Sequence, residues 1–329
     1  MKVLVTGASG LLGGQTALAL AARGDAVTVL QRRPAGLGLP EVLADVADAA
    51  AVRDAVAGHD AVIHLAAKVN ITGPWSAYER ANVVGTRSVV SACRSAGVER
   101  LVQFSSPSVA HAGASLVGAP AGTADPVHAR GPYARSKAQS ELIALAADSP
   151  ELAVVAVRPH LVWGPGDTQL VDRIVARSRS GRLPLIGSGA VLVDSVYLTN
   201  AVDAMLAAVD RAQLAHGQAL VVTNGEPLPI AELLGGICAA AGAPRPHRHV
   251  PPALAKAAGT VAEALWALRP GDDQDPPLTR FLAEQLSTAH WFDQRHTRAM
   301  LNWSPRVSLA EGFELLAASY ALRQAQGTS

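Results

Sequence analysis

The chain opens with the feature that most restricts what it can fold into. Val3-Leu4-Val5, a short apolar run, leads directly into Thr6-Gly7-Ala8-Ser9-Gly10-Leu11-Leu12-Gly13, and a helical pattern follows over residues 12–23, closed by Gly24. Glycines spaced in this way permit a tight turn and let the backbone come close to a pyrophosphate. The start of the helix adds free N–H groups and a partial positive charge worth roughly 0.3–1 kcal/mol to an anion. A glycine triplet alone is weak evidence, since glycine-rich turns are common. Between a strand and a helix at the start of a βαβ unit, it reads as a dinucleotide site. Gly7, Ser9, Gly10, Leu11, Leu12 and Gly13 are its expected residues.

Further strands are expected over 26–31, 42–44, 60–66, 100–105 and 152–157, separated by helical patterns over 47–57, 78–96 and 132–147. That alternation predicts an α/β fold, a Rossmann-type doubly wound parallel sheet, with residues 1–160 as the dinucleotide-binding domain. After Arg158-Pro159 the rhythm changes. Pro165, Gly166, Pro184, Gly187 and Gly189 break the chain into loops around a helix over 168–179, followed by a strand over 219–222 and a helix over 230–241. Residues 161–329 are expected to form mainly a smaller C-terminal substrate-binding lobe, with strands near 190–223 returning to the first domain. The apolar stretch 253–268, with only Lys256 and Glu263 charged, is too short to span a bilayer. A packed lobe helix is favoured over a lipid-facing one, and the same stretch could line an entrance for a greasy substrate.

Composition removes several function classes. Of 329 residues, 49% are hydrophobic and 17% charged, which is enough for a sizeable core. A net charge of +1 gives no electrostatic case for nucleic acid. Cys93 and Cys238 cannot make a disulfide scaffold or a zinc ribbon. The close pairs His247/His249 and His290/His296 lack the HExxH spacing and are expected at the surface or in packing, so no metal is expected. No GxSxG elbow or GKS/GKT loop occurs, which sets aside hydrolase and nucleotidase readings. With no leader pattern and no apolar run of ~18 residues, a cytoplasmic location is expected, with peripheral membrane association left open.

The end of the second strand bears on cofactor choice. Where an acidic residue would bond a ribose 2′-OH, this chain has Gln31 followed by Arg32 and Arg33. Two guanidinium groups suit a 2′-phosphate, so NADP(H) is expected over NAD(H). Asp45, after the third strand, is a candidate acceptor for the adenine amino group and equally a turn or cap residue.

Tyr133-Ala134-Arg135-Ser136-Lys137 places a phenol and an ammonium on one face of a predicted helix. A phenol with a free pKa of ~10 needs a shift of ~3 units, about 4 kcal/mol, to work near neutrality. One unit charge at ~4 Å supplies about that much at an effective dielectric of ~20, so Lys137 is expected to lower Tyr133. The fifth strand ends in Phe104-Ser105-Ser106-Pro107-Ser108, at the sheet edge where such folds bind ligands. A serine hydroxyl there can donate to a carbonyl oxygen as charge develops, although each serine alone is more often a structural turn residue.

Together, Thr6–Gly13, Ser105-Ser106, Tyr133-x-x-x-Lys137 and Arg158-Pro159 resemble the extended short-chain dehydrogenase/reductase family. The likeness spans nearly the whole chain, through Asn302-Trp303-x-Pro305 and Leu309-x-Glu311-Gly312. It implies Tyr133 as acid/base, Lys137 as the group that lowers its pKa and holds the nicotinamide ribose, and Ser106 as the residue orienting the carbonyl. It also implies that Val46, Ala66, Ala67, Pro159 and His160 lie against the cofactor.

Sugar-nucleotide members of the family carry an arginine before the small-lobe aspartate, where this chain has Val193-Asp194. Arg158-Pro159-His160, Trp163-Gly164-Pro165-Gly166-Asp167 and Leu192-Val193-Asp194 instead resemble the 3β-hydroxysteroid and sterol-4-carboxylate dehydrogenase branch. Within it, Ala66-Ala67-Lys68, Pro107–His111, Asn224–Pro229, Pro277–Leu286 and His290-Trp291 are similar to bacterial reductases of 2-alkyl-3-oxoalkanoic acids from olefin and β-lactone biosynthesis. Ser106 departs from the threonine of those reductases but keeps the hydroxyl.

The resemblance implies NADPH-dependent reduction of a long-chain 2-alkyl-3-oxo acid, hence a hydrophobic small-molecule partner. It also implies a homodimer through helices near 78–96 and 132–147, and association with other enzymes of the pathway. Lys68, His111 and His160 are candidates for a cation facing the substrate carboxylate, and Trp163 is a further substrate-side candidate. Lys68 ranks first because only four of the 28 basic residues are lysine.

Two other readings stand beside this one: an NAD-dependent 3β-hydroxysteroid or sterol dehydrogenase, and a non-catalytic dinucleotide sensor. Retention of both Tyr133 and Lys137 argues against the sensor. For an enzyme, Tyr133→Phe should lower turnover by about 10²–10⁴-fold while leaving cofactor affinity, measured by nicotinamide fluorescence, within a few-fold of wild type.

Overall fold

The computed structural model describes residues 1–70, 73–111, 113–267 and 278–327. Its central sheet is built from β1 (Lys2–Thr6), β2 (Ala26–Gln31), β3 (Glu41–Leu43), β4 (Ala61–His64), β5 (Arg100–Phe104), β6 (Ala153–Pro159) and β7 (Gln218–Val222). All pair in parallel, in the order β7-β6-β5-β4-β1-β2-β3. Successive residues alternate between two hydrophobic clusters: Val3, Val5, Ile63 and Val155 enter one, Leu4, Val62 and Val154 the other. Strands apolar on both faces need cover on both sides. Helix α1 (Leu11–Ala22) and helix Leu198–Asp210 cover the first face, through Ala17, Leu20, Ala204 and Met205. Helices α2 (Ala49–Val56), α3 (Gly85–Ala96) and α4 (Gly131–Leu145) cover the second, through Val52, Val89 and Ala144. The strand order reverses between β1 and β4, so a crevice opens at their carboxyl ends.

The single helix expected over 78–96 is three pieces. Trp75–Tyr78 is α-helical, Glu79–Val84 widens into a π-helical segment, and α3 follows. The π segment turns Asn82 inward, where it is buried, and Gly85 then passes so near Val46 that a Cβ would lie 2.7 Å from Val46 Cγ2.

The lobe has its own core, in which Trp163, Ile174, Tyr197, Leu233, Ile237 and Leu316 pack together. A small sheet joins it to the main domain: Leu228–Pro229, Leu192–Val193, His290–Phe292 and Leu116–Ala119 pair in that order, His290 beside both Val193 and Leu116. The apolar stretch forms helix Pro252–Ala267, with Leu268 and Pro277 outside the described residues. It packs at Gly259, where a Cβ would lie 2.5 Å from Arg280 N, while Leu254 and Val261 are exposed.

One charged contact in the main domain is wholly buried. Arg158 on β6 donates from Nε to Glu141 Oε2 (2.7 Å) and from Nη2 to Glu141 Oε1 (2.5 Å), and its Nη1 donates to the carbonyls of Ala121 and Gly122. Removing one partner leaves an uncompensated buried charge. Glu141→Ala should therefore cost about 3–5 kcal/mol in urea denaturation. The double substitution Glu141→Leu/Arg158→Met should recover more than half of that loss.

Candidate active site

Backbone proximity shapes the cofactor turn. At Gly7, φ is +78° and a Cβ would lie 2.6 Å from Ala66 N; a Cβ at Gly13 would lie 2.4 Å from Gly7 O. Thr6 Oγ1 ties the two sides together, accepting from Ala66 N (3.1 Å) and bonding to His64 Nδ1 (2.7 Å). Gly10 precedes α1 with no side-chain cap, so the first-turn N–H groups face outward beside exposed Ser9 and half-buried Leu11 and Leu12. The turn fits a dinucleotide pyrophosphate: the two glycines let the turn close tightly on β4 and on α1, and the helix start offers donors.

At the far end of this crevice Gln31 is buried and donates to Glu41, whose carboxylate also accepts from Ala35 N (2.8 Å). Arg32 and Arg33 are exposed. The Asp45 carboxylate accepts from Ala47 N (2.9 Å) and pairs with Arg80 (3.1 Å), so an adenine contact would share an oxygen with Arg80. Val46 is buried against Gly85, and Ala66 and Ala67 are half-buried after β4.

The catalytic candidates stand on α4 and at the end of β5. Lys137 is buried, and its Nζ donates to the Phe104 carbonyl. Burial pushes its ammonium down to about 7 against the pull of Glu141. Burial pushes the Tyr133 phenol up to about 12, and a hydrogen bond with Ser106 acts the other way. This corrects the expectation that Lys137 lowers Tyr133: the ammonium is turned onto a backbone carbonyl, and desolvation of the phenolate dominates. The phenol therefore rests protonated. Ser106 caps the turn Pro107–Ala110, and its Oγ lies 2.9 Å from Ser108 Oγ. Ser105, its rival, is fully buried and is not among the described residues lining the cavity below.

Tyr133 and Ser106 open onto a cavity of about 280 Å³ with otherwise mostly apolar walls, including Leu116, Ile174, Leu233, Ile237, Phe281 and Leu286. Pro159, His160 and His111 also line it, so both histidines reach the substrate side. Lys68 does not. Asn82 holds its backbone at both ends (2.7 and 3.1 Å), and its Nζ lies over the Tyr78 ring, 5.4 Å from the centroid. Trp163 is likewise displaced from the expected role: it is buried in the lobe core, stacked on Phe313 and donating to Ser195 Oγ at 3.0 Å. The cavity is walled by helix Arg280–Gln285 rather than by helix Pro252–Ala267.

Sequence reasoning missed three contributors. Asn82 bridges Lys68 to Ser136 Oγ (2.8 Å), and Ser136 bonds the Tyr133 carbonyl (2.8 Å). His64 links Thr6 to Thr86, and burial holds it near 3. His290, expected at the surface or in packing, is buried in the cavity wall with Gln285. Its neighbour Trp291 was the available signal, marking a distinctive segment without a role.

Residues 3–223 match the NAD dependent epimerase/dehydratase family. The chain belongs to that family. A 2-alkyl-3-oxoalkanoate reductase of Stenotrophomonas maltophilia (strain K279a) is 42% identical, over 98% of this chain and all of that one. The human sterol-4-alpha-carboxylate 3-dehydrogenase is 29% identical, over 97% of this chain and 88% of the relative. The fold matches a dTDP-glucose 4,6-dehydratase of Streptomyces venezuelae solved with NAD, with a TM-score of 0.75, 23% identity, and 99% and 98% of the two chains covered. The family member described here is an NAD(P)-dependent oxidoreductase of the extended short-chain type, close to the 3β-hydroxysteroid dehydrogenase-like branch. Val193 is buried in the lobe core.

The depressed Lys137 has a consequence for stability. Between about 7 and its ordinary 10.5, the folded chain releases a proton that the unfolded chain keeps. The cost of burying the cation is full below pH 7 and disappears as pH rises through 10.5. Cofactor-free Lys137→Met should therefore melt a few degrees above wild type at pH 6, with the gap closing toward pH 10.5 in thermal scans, and should be inactive.

Proposed function

We propose that this oxidoreductase reduces a long-chain 2-alkyl-3-oxoalkanoic acid to the 2-alkyl-3-hydroxy acid, with NADPH as donor. The observation that carries the reading is the apolar cavity ending at Tyr133 and Ser106. Its aliphatic walls suit two alkyl chains, and its polar end suits the carbonyl between them. The 42% identical reductase supports the same substrate class.

The glycine turn would hold the pyrophosphate of the reduced dinucleotide, which would supply the hydride. Tyr133, protonated at rest, gives its proton to the substrate oxygen as negative charge gathers there, and Ser106 donates a hydrogen bond to that oxygen. Lys137, one helical turn from the phenol and titrating near neutrality, can exchange a proton on that side of the site. Preference for NADPH is supported by Arg32 and Arg33, which are exposed and make no ion pair or hydrogen bond among the described residues. A second reading, dehydrogenation of a sterol or 3β-hydroxysteroid, is supported by the human relative.

The test runs in the oxidative direction, because 3-oxo acids decarboxylate on standing. A long-chain 2-alkyl-3-hydroxy acid with NADP⁺ should produce NADPH absorbance, faster than with NAD⁺ by about tenfold or more, a difference of about 1.4 kcal/mol. Turnover of a 3β-hydroxysteroid alone would select the second reading. No turnover of either would reject both.

A further inference from the structure

The cavity has one polar wall besides its catalytic end, and that wall is made largely of histidine. His160 Nε2 lies 2.8 Å from His290 Nδ1, His290 Nε2 lies 2.7 Å from the Gln285 carbonyl, and Gln285 Nε2 lies 3.2 Å from His111 Nδ1. The ends of this chain settle its protons. A carbonyl only accepts, so His290 carries its proton on Nε2 and offers Nδ1, and His160 donates from Nε2. With the carboxamide oriented as it is, its nitrogen donates to His111 Nδ1. The His111 proton then sits on Nε2, a buried atom outside hydrogen-bond distance of any acceptor among the described residues, although the Ala114 carbonyl pulls on the ring.

No Asp, Glu, Lys or Arg is found among the described residues lining the cavity. The charged groups facing His111 are Glu284 and Arg130, which pair at 3.8 Å, and Arg280 pairs with Glu284 at 3.1 Å. His160 and His290 face each other and His111, and burial pushes all three rings below the ordinary histidine range. Tyr133, on the same cavity, is protonated, and Lys137 is engaged by Phe104. A carboxylate entering such a space meets no charged group on the described lining, since Arg130 and Arg280 are turned to Glu284 behind it, and without a contacting countercharge it loses more in desolvation than hydrogen bonds return.

We propose that the His111–Gln285–His290–His160 chain is a carboxyl-recognition subsite that admits an acid only together with a proton. This deepens the reading above and rests on its acid substrate. The carboxylate and one proton from solvent enter together, either as the carboxylic acid bonded to His111 or as carboxylate beside a protonated His111. The two arrangements have the same composition, and no covalent bond of the substrate changes.

Calorimetric titration of the NADPH-bound protein tests this with 2-butyloctanoic acid, which has no 3-oxygen to react. Phosphate and Tris, whose ionisation enthalpies differ widely, report the protons exchanged. The expected result is uptake of close to one proton per acid bound, with affinity falling about tenfold per pH unit above neutrality. The primary amide of the same acid should bind with no such dependence, and it also controls for titration of Lys137. His111→Phe should weaken the acid at least tenfold and the amide less than threefold. If that variant fails to fold, the wild-type proton count decides alone.

Binding of the acid without proton uptake, no binding of it at any pH, or equal loss of acid and amide in His111→Phe would overturn the subsite. Proton uptake by a protein that does not turn over the 2-alkyl-3-hydroxy acid would keep the subsite and reject the proposed reaction. Turnover without uptake would do the reverse.

Discussion

The buried pair of Arg158 with Glu141 sets the rotation of α4, and the placement of the reactive groups depends on that rotation. Tyr133, Lys137 and Glu141 follow one another at four-residue intervals and so share one stripe of the helix. Glu141 is held by a guanidinium rooted in β6, and Lys137 by the carbonyl at the end of β5. With two members of the stripe tied to two adjacent strands, the third is carried to the strand ends, where the cavity opens. The same guanidinium reaches the carbonyls of Ala121 and Gly122, so the segment beyond the small-sheet strand Leu116–Ala119 is fixed by the contact that orients the helix. A hydrophobic pair could hold the helix as tightly, but it would not specify one rotation through two parallel hydrogen bonds.

The electrostatics of the site differ from simple Coulomb reasoning for a reason visible in the geometry. A cation one turn away should favour phenolate if it faces the phenol. Here it faces a peptide carbonyl, and both groups have lost water, so each is driven toward its neutral form. Phenol up and ammonium down is the pattern of a site prepared to give a proton rather than to take one. A cofactor that brings its own hydroxyl groups and charge would alter that balance.

How much of this was legible beforehand follows from which constraints are local. The glycine turn, the alternation of strands and helices, and the spacing of Tyr133 and Lys137 each lie within a short stretch, and their signal survives without knowledge of the fold. Helix Leu198–Asp210 is less visible because its polar face is thin: between Thr199 and Asp210 only Asp203 marks it, and Leu206 and Ala207 complete it with apolar side chains. Asn82 was hidden because its role depends on a π-helical widening that propensity does not encode. Lys68 and Trp163 were hard to place for the opposite reason. Scarcity and motif membership drew attention to them, but partners distant in sequence, Asn82 and Phe313, determine where they stand.

The small sheet has an implication for how the molecule comes into being. His290–Phe292 lies between Leu192–Val193 and Leu116–Ala119, so the wall that faces the substrate joins segments from opposite ends of the chain. During synthesis the glycine turn and its neighbouring strands emerge first and can pair among themselves. Loop closure over so long a separation comes late. The nucleotide crevice and the substrate cavity thus mature at different times: a chain ending before His290 can possess the first and has no means of making the second.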